Sequence, residues 1–397
     1  MKIASVEAIP VRLPRDREGA RRTAGSPTAL QAGDGRYRWS TTVSALYSTF
    51  FETALIRITT TDGAIGWGEA QAPLAPEVAC TIVDHLLKPV LLGLDVEPTL
   101  PGIADAWDRM YATMRVRGQT GGFMLDAISG VDIALWDLAG KTRGVPVSRL
   151  LSESPKASVQ AYLSGVTGAT LVERAQAASA KFDEGFRTFK LFHHSTTEEL
   201  LETFDAIRDR LGTNASIAVD ALWRLDDHTA VVLGRELDAR KALWLEAPLM
   251  PEDSTAHAKL AAAIVTPLAL GESYRTRFEM APFFRARAVG FAQPDLGRTG
   301  LTEGMRIADQ AAQAGAQVVP HLSIALGPQI AAAIHFAAAV PHCHILEFNP
   351  NVLAVANRYL CRPLTVTGSS YIVPEGPGLG IEMLEDDLRR DLEPSLV

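Results

Sequence analysis

Hydrophobic and polar positions alternate along the opening segment, MKIASVEAIPVRLP, with the two-residue period of a strand. The same period returns in ETALIRITT (52 to 60) and AIGWGEA (64 to 70), and the Asp62-Gly63 pair between them predicts a hairpin. Between these runs, residues 15 to 45 are rich in Arg, Gly, Ser and Thr, which predicts a long polar loop of the kind used as a lid rather than a core element. From 76 to about 142 the period turns helical. Ile128, Val131, Leu135 and Leu138 fall on one face, and Gly140, Gly144 and Pro146 mark the stop.

Beyond residue 155 short apolar runs alternate with amphipathic helices. Eight strands are predicted: 159 to 165, 186 to 192, 216 to 222, 242 to 248, 267 to 273, 288 to 295, 316 to 323 and 343 to 349. Eight such units in a row predict a parallel (β/α) barrel. An open doubly wound sheet usually carries a glycine fingerprint after its first strand, and none stands here. Gly376, Gly378 and Gly380 have no helix after them and read as a turn.

Charge changes this picture by exclusion. Across 397 residues, 38 Lys and Arg face 46 Asp and Glu, a net of -8, which offers no general field for nucleic acid or an anionic membrane. Hydrophobic residues make up 47% and charged residues 21%, which describes a globular chain rather than a disordered one. No apolar run reaches the length of a membrane span, and no secretory pattern opens the chain, so a cytoplasmic protein is expected. Cys80, Cys343 and Cys361 form no C-x-x-C pair and read as small apolar fillers.

The candidate chemistry lies at the strand ends. Lys190, Asp220, Glu246, Glu272, Asp295, His321 and Glu347 close the second to eighth strands, and from Asp220 the steps are 26, 26, 23, 26 and 26 residues. Such phased positions converge at the C-terminal mouth of a barrel. Three neighbouring carboxylates, Asp220, Glu246 and Glu272, repel one another unless a cation joins them, and an all-oxygen set selects a hard ion such as Mg²⁺. Asp295 beside His321 is an acid that fixes an imidazole tautomer, leaving His321 as a general base. Lys190 suits a substrate carboxylate or proton transfer. Glu347, crowded by other acids, is a candidate donor to a developing oxyanion. This set fits removal of a proton α to a carboxylate.

These motifs resemble the enolase superfamily, mandelate racemase subgroup, over nearly the whole chain. ETALIRITTTDGAIGWGEA resembles a capping-domain hairpin, DIALWDLAGKTRGVPVSRLL a domain junction and PEGPGLGIE a C-terminal return to the cap. VDA, LEAP and GES match the metal ligands, QPD and PH the base dyad, and Glu347 an electrophilic acid. The resemblance implies a modified TIM barrel, (β/α)7β, over 131–370. It also implies an α+β capping domain over 1–130 completed by 371–397, one Mg²⁺ and a homo-oligomer. Two positions depart from the pattern: K-x-K is K-L-F, placing Phe192 where a second lysine stands, and D-x-N is D-A-L, placing Leu222 where an amide stands.

Racemisation needs proton delivery to both faces of the carbanion, whereas β-elimination of hydroxide can proceed with a single acid/base. The loss of the second lysine therefore favours a Mg²⁺-dependent dehydratase of a hydroxylated acid such as an aldonate or aldarate. Alternatives are a racemase or epimerase using Lys190, a cycloisomerase, and a noncatalytic acid-sugar binder. Arg15, Arg17, Arg21, Arg22, Arg36 and Arg38 are candidates to pair a distal carboxylate of the small-molecule substrate.

Overall fold

A computed structural model describes residues 1–15, 30–32 and 35–392. The alternating opening forms β1 (Ile3–Pro14). After β2 (Leu30–Ala32), β3 (Tyr37–Ser40) and β4 (Ala45–Ser48), the predicted hairpin appears as β5 (Phe50–Thr60) and β6 (Ile65–Ala70). β1, β5 and β6 make an antiparallel sheet, with Pro10 facing Ala54 and Ala54 facing Ala70. Asp62 and Gly63 turn the hairpin, Gly63 at φ 89°.

The polar stretch departs from expectation. Leu30–Ala32, Tyr37–Ser40 and Ala45–Ser48 form a second antiparallel sheet, β2-β3-β4, where a loop is expected. Tyr37 and Trp39 alternate with Arg38 and Ser40, a strand period that the arginine content hides, and Ser44 takes the left-handed conformation at the turn into β4. Arg17, Arg21 and Arg22 lie outside the described residues.

The eight strands expected of the second half are all present: β7 (Ser158–Ser164), β8 (Thr188–Phe192), β9 (Ser216–Asp220), β10 (Leu245–Glu246), β11 (Leu268–Leu270), β12 (Phe291–Ala292), β13 (Gln317–Val318) and β14 (Ile345–Phe348). β7 to β13 pair in parallel in sequence order, and β14 returns to lie parallel to β7. Between β13 and β14 the contact is a single parallel bridge, Val318 with Cys343. A hairpin of β15 (Val366–Thr367) and β16 (Ser370–Ile372) adds antiparallel to β7. Side chains fill the interior: Tyr162, Ala218, Trp244, Ala269 and Val319, from successive parts of the ring, form their own buried cluster.

One helix, Phe123–Arg143, joins the two sheets and is buried over nearly its whole length. β6 crosses it so closely that a Cβ at Gly68 would stand 1.9 Å from the Gly130 carbonyl oxygen. Its three buried aspartates each grip a different neighbour: Asp126 binds Arg275, Asp132 binds Thr302, and Asp137 accepts the backbone N–H groups of Trp67 and Leu379. The glycine turn near the C-terminus is thereby seated on this helix. Cys80 and Cys343 are buried as expected, whereas Cys361 is exposed. Among the described residues no helix is long and apolar enough to cross a membrane.

Candidate active site

Parallel strands deliver their C-terminal ends to one mouth. Lys190 lies in β8, Asp220 ends β9, Glu246 ends β10 and Glu347 lies in β14. Glu272 follows β11, and Asp295 and His321, in the loops after β12 and β13, face each other through an isolated bridge. Asp295 also caps the helix Leu296–Ala314 through the N–H of Gly297. Gly271 is required before Glu272, because a Cβ there would meet the Gln293 backbone at 2.5 Å.

Lys190 is the electrostatic centre. Its buried Nζ lies 2.6 Å from Glu246 Oε1, 2.9 Å from Glu347 Oε1 and 3.7 Å from Asp220 Oδ2. Burial opposes its charge, but the carboxylates of Glu246 and Glu347 outweigh that and hold the ammonium well above the usual lysine range. Glu246 Oε2 accepts from Trp244 Nε1 at 2.9 Å and Gln293 Nε2 at 2.8 Å. Glu347 accepts from the Ser164 hydroxyl and, at 2.9 Å, from the Leu322 N–H. Burial and the charge of Glu246 push the Asp220 carboxyl well above its ordinary range.

Across from this group, His321 Nδ1 meets Asp295 Oδ2 at 2.7 Å and its Nε2 meets Glu272 Oε2 at 2.9 Å. Burial again opposes charge. The carboxylates of Glu347 and Glu272 prevail and hold the imidazole well above its usual range. Burial alone would raise Glu272, yet the facing His321 charge brings it down to about 2. Glu272 Oε1 also accepts from Trp223 Nε1 at 2.6 Å. Trp223 and its neighbour Leu222 both adopt left-handed backbone, which swings the indole toward Glu272.

All seven strand-end residues thus share one mouth, but the three acids do not close on a common point. Asp220 and Glu246 turn to Lys190, while Glu272 turns to Trp223 and His321. Among the described residues no three His, Cys, Asp or Glu side chains gather tightly enough to hold a metal ion. The donor chemistry nevertheless suits a hard dication. Five acids, Asp220, Glu246, Glu272, Asp295 and Glu347, face the two basic side chains Lys190 and His321, and three of them lie on adjacent strand ends.

Phe192 stands beside the site with its ring centroid 5.4 Å from Lys190 Nζ, and the ring of His194 is 5.4 Å from it in turn. His193 is tied to Arg224 and Thr197. Arg15 binds the Phe50 carbonyl through its Nε. On β4, burial raises the Tyr47 phenol, and the charges of Glu272 and Asp220 add to that shift. Sequence reasoning missed Tyr47, Ser164, Trp223, Trp244 and Gln293. Only Ser164, at the end of the first barrel strand, and Gln293, in QPD, carried a positional signal.

Two family models match the chain. Residues 172–387 match the enolase C-terminal domain-like family, and 42–152 match the mandelate racemase / muconate lactonizing enzyme N-terminal domain. The chain belongs to the enolase superfamily. It is 34% identical over 347 residues to a D-galactarolactone cycloisomerase of Agrobacterium fabrum, covering 84% of this chain and 89% of that protein. It is 32% identical to an arabinonate dehydratase of Saccharolobus solfataricus, covering 83% and 87%. Among solved structures, an enolase superfamily member from Agrobacterium tumefaciens superposes with a TM-score of 0.91 at 30% identity over 98% of each chain. A racemase from Streptomyces coelicolor with bound magnesium superposes with a TM-score of 0.81 at 25% identity, over 98% of this chain and 100% of that one. Membership of the enolase superfamily accounts for both the capping sheet and the barrel.

Proposed function

We propose that the chain is a Mg²⁺-dependent dehydratase of a hydroxylated carboxylic acid of the aldonate or aldarate type. The observation that carries this reading is the asymmetry of the mouth: one side holds the Asp295–His321 dyad, and the other holds Phe192 where a second base would stand. The relative named arabinonate dehydratase supports both the substrate class and the reaction.

Asp220, Glu246 and Glu272 are the residues that would hold the ion, which when bound supplies charge for the substrate carboxylate and its enediolate form. The remaining steps belong to this chain's side chains. Neutral His321 takes the α-proton at Nε2, with Nδ1–H donated to Asp295. The resulting imidazolium, which these carboxylates favour, returns that proton to the departing β-hydroxyl. Water leaves, a carbon–carbon double bond forms, and the enol tautomerises to a 2-keto acid. Lys190 presents a donor toward the oxyanion side. Glu347, expected from the sequence as a protonated donor, is corrected to an acceptor that orients Lys190: burial would raise its carboxyl, but the charges of Lys190 and His321 and the donors Ser164 and Leu322 hold it below its usual range.

A second reading, an isomerase acting on the same substrate class, is supported by the relative named D-galactarolactone cycloisomerase. Lys190 would then serve the opposite face, against which stands its engagement with Glu246 and Glu347. The deciding experiment incubates a library of aldonates, aldarates and their lactones with the protein and Mg²⁺. Keto-acid formation from at least one acid, abolished by EDTA and by His321→Asn, is the expected result. Interconversion of isomers without loss of water would establish the second reading instead.

A further inference from the structure

On the side of Asp295 away from His321 lies a side chain that the proposed chemistry does not use. Gln329, in the first turn of the helix Pro328–Ala339, is fully buried. Its Nε2 donates one hydrogen to Asp295 Oδ1 at 2.9 Å and the other to Gln71 Oε1 at 3.0 Å. The Asp295 carboxylate only accepts, which determines the orientation of the amide. The N–H of Gly297 donates to the same Oδ1 at 2.9 Å. That oxygen is therefore doubly held, and Oδ2 is left to His321.

Gln71 follows β6 directly and links this group to the capping sheet. Its Nε2 donates to Ser323 Oγ at 2.6 Å, two residues past His321, and its backbone N–H donates to the Gly297 carbonyl. One strand edge therefore touches both the loop that carries His321 and the turn that carries Asp295. Space is as tight as the bonding: a Cβ at Gly297 would stand 2.2 Å from Gln329 Oε1.

We propose that Gln329, steered by Gln71, is a positioning residue of the dyad: the pair fixes which oxygen of Asp295 faces His321 and so aims Nε2 into the mouth. With the Gln329 donor gone, Oδ1 keeps one partner and the carboxylate gains freedom to rotate. A misdirected imidazole then loses near-attack geometry without any change in the groups that bind substrate. The inference rests on His321 being the proton-transfer group.

The test uses Gln329→Met, Gln71→Met and the double variant of the full chain, with His321→Asn as reference. The substrate-free proton spectrum should contain a downfield Nδ1–H resonance that His321→Asn removes. We expect that resonance to be lost or broadened in Gln329→Met and weakened in Gln71→Met. With the acid that the library assay finds active, kcat should fall roughly 10–100-fold in Gln329→Met while KM stays within about threefold. Gln71→Met should lose less, and the double variant no more than Gln329→Met, because the link runs through Gln329. An intact resonance and unchanged kcat in Gln329→Met would overturn the proposal. Should that variant fail to fold, the same two observations in Gln71→Met would overturn it. Normal turnover by His321→Asn would instead defeat the functional reading, while the resonance would still report on the dyad.

Discussion

Lys190 shows how much a single buried charge is made to do in this mouth. Three acidic side chains lie within 4 Å of its Nζ, and its side chain is 1% exposed, so neither the ammonium nor the acids facing it are well served by water. Breaking such a cluster by removing one partner costs more than forming it gains, because the remaining acids stay buried without compensation. Lys190→Met should therefore destabilise the metal-free protein by about 3–5 kcal/mol at neutral pH in urea denaturation with chelator present. An unchanged midpoint and slope would show that the acids find other compensation. The strand-end spacing made Lys190, the acids and His321 legible as one group, since each closes a barrel strand and four of the five steps from Asp220 are 26 residues, which returns them to the same place in the ring. Trp223 and Gln329 were not legible. The first reaches Glu272 through two left-handed residues, and the second reaches Asp295 from a neighbouring helix, neither of which a periodic pattern encodes.

Elements, by contrast, were mostly visible in the pattern, and where they failed to be so the cause was composition. Strands of the barrel are buried and announce themselves as apolar runs, and the hairpin β5–β6 carries its Asp-Gly turn. β3 and β4 were masked by arginines around an alternation only four residues long. The contact between β6 and the helix Phe123–Arg143 is also unreadable from either segment alone, because it depends on two glycines meeting. Gly66 and Gly68 lie against that helix, and a Cβ at Gly68 would overlap the Gly130 carbonyl and stand 2.7 Å from the Ala134 nitrogen. Both obstacles are backbone in the middle of a helix held by three buried aspartates, so neither can move aside cheaply. Gly68→Ala should cost about 1–3 kcal/mol as overpacking, read as a lowered thermal midpoint, and by shifting β6 should also weaken the Gln71 contacts. Gly63→Ala, at an open turn with positive φ, supplies the comparison: it bears backbone strain alone and should cost less.

At the scale of the whole molecule, the seam between the capping sheet and the barrel is built around carboxyls out of water. Glu69 accepts from Thr53 Oγ1 and from the backbone of Leu326 and Gln329, while Asp132 accepts from the hydroxyl and N–H of Thr302. Burial is the largest influence on both and raises each to about 7, the hydrogen bonds opposing it only in part. The sign follows from proton linkage. Between the unfolded values of about 4 and the folded values near 7, the folded protein binds more protons than the unfolded chain, so stability is full below pH 4 for these two groups and is lost as pH rises toward 7. The active-site groups add their own pH dependence, which a difference measurement removes. Asp132→Asn keeps an oxygen to accept the Thr302 N–H and places an amide against its hydroxyl, so the bonding survives while the titration disappears. Urea denaturation at several pH values between 5 and 7.5 should give a slope for this variant that is shallower than that of the unsubstituted chain by up to one proton, about 1.4 kcal/mol per pH unit. Parallel slopes would mean that Asp132 is already ionised in the folded seam at pH 5, and that the two halves are held together by charge rather than by a shared, protonated interior.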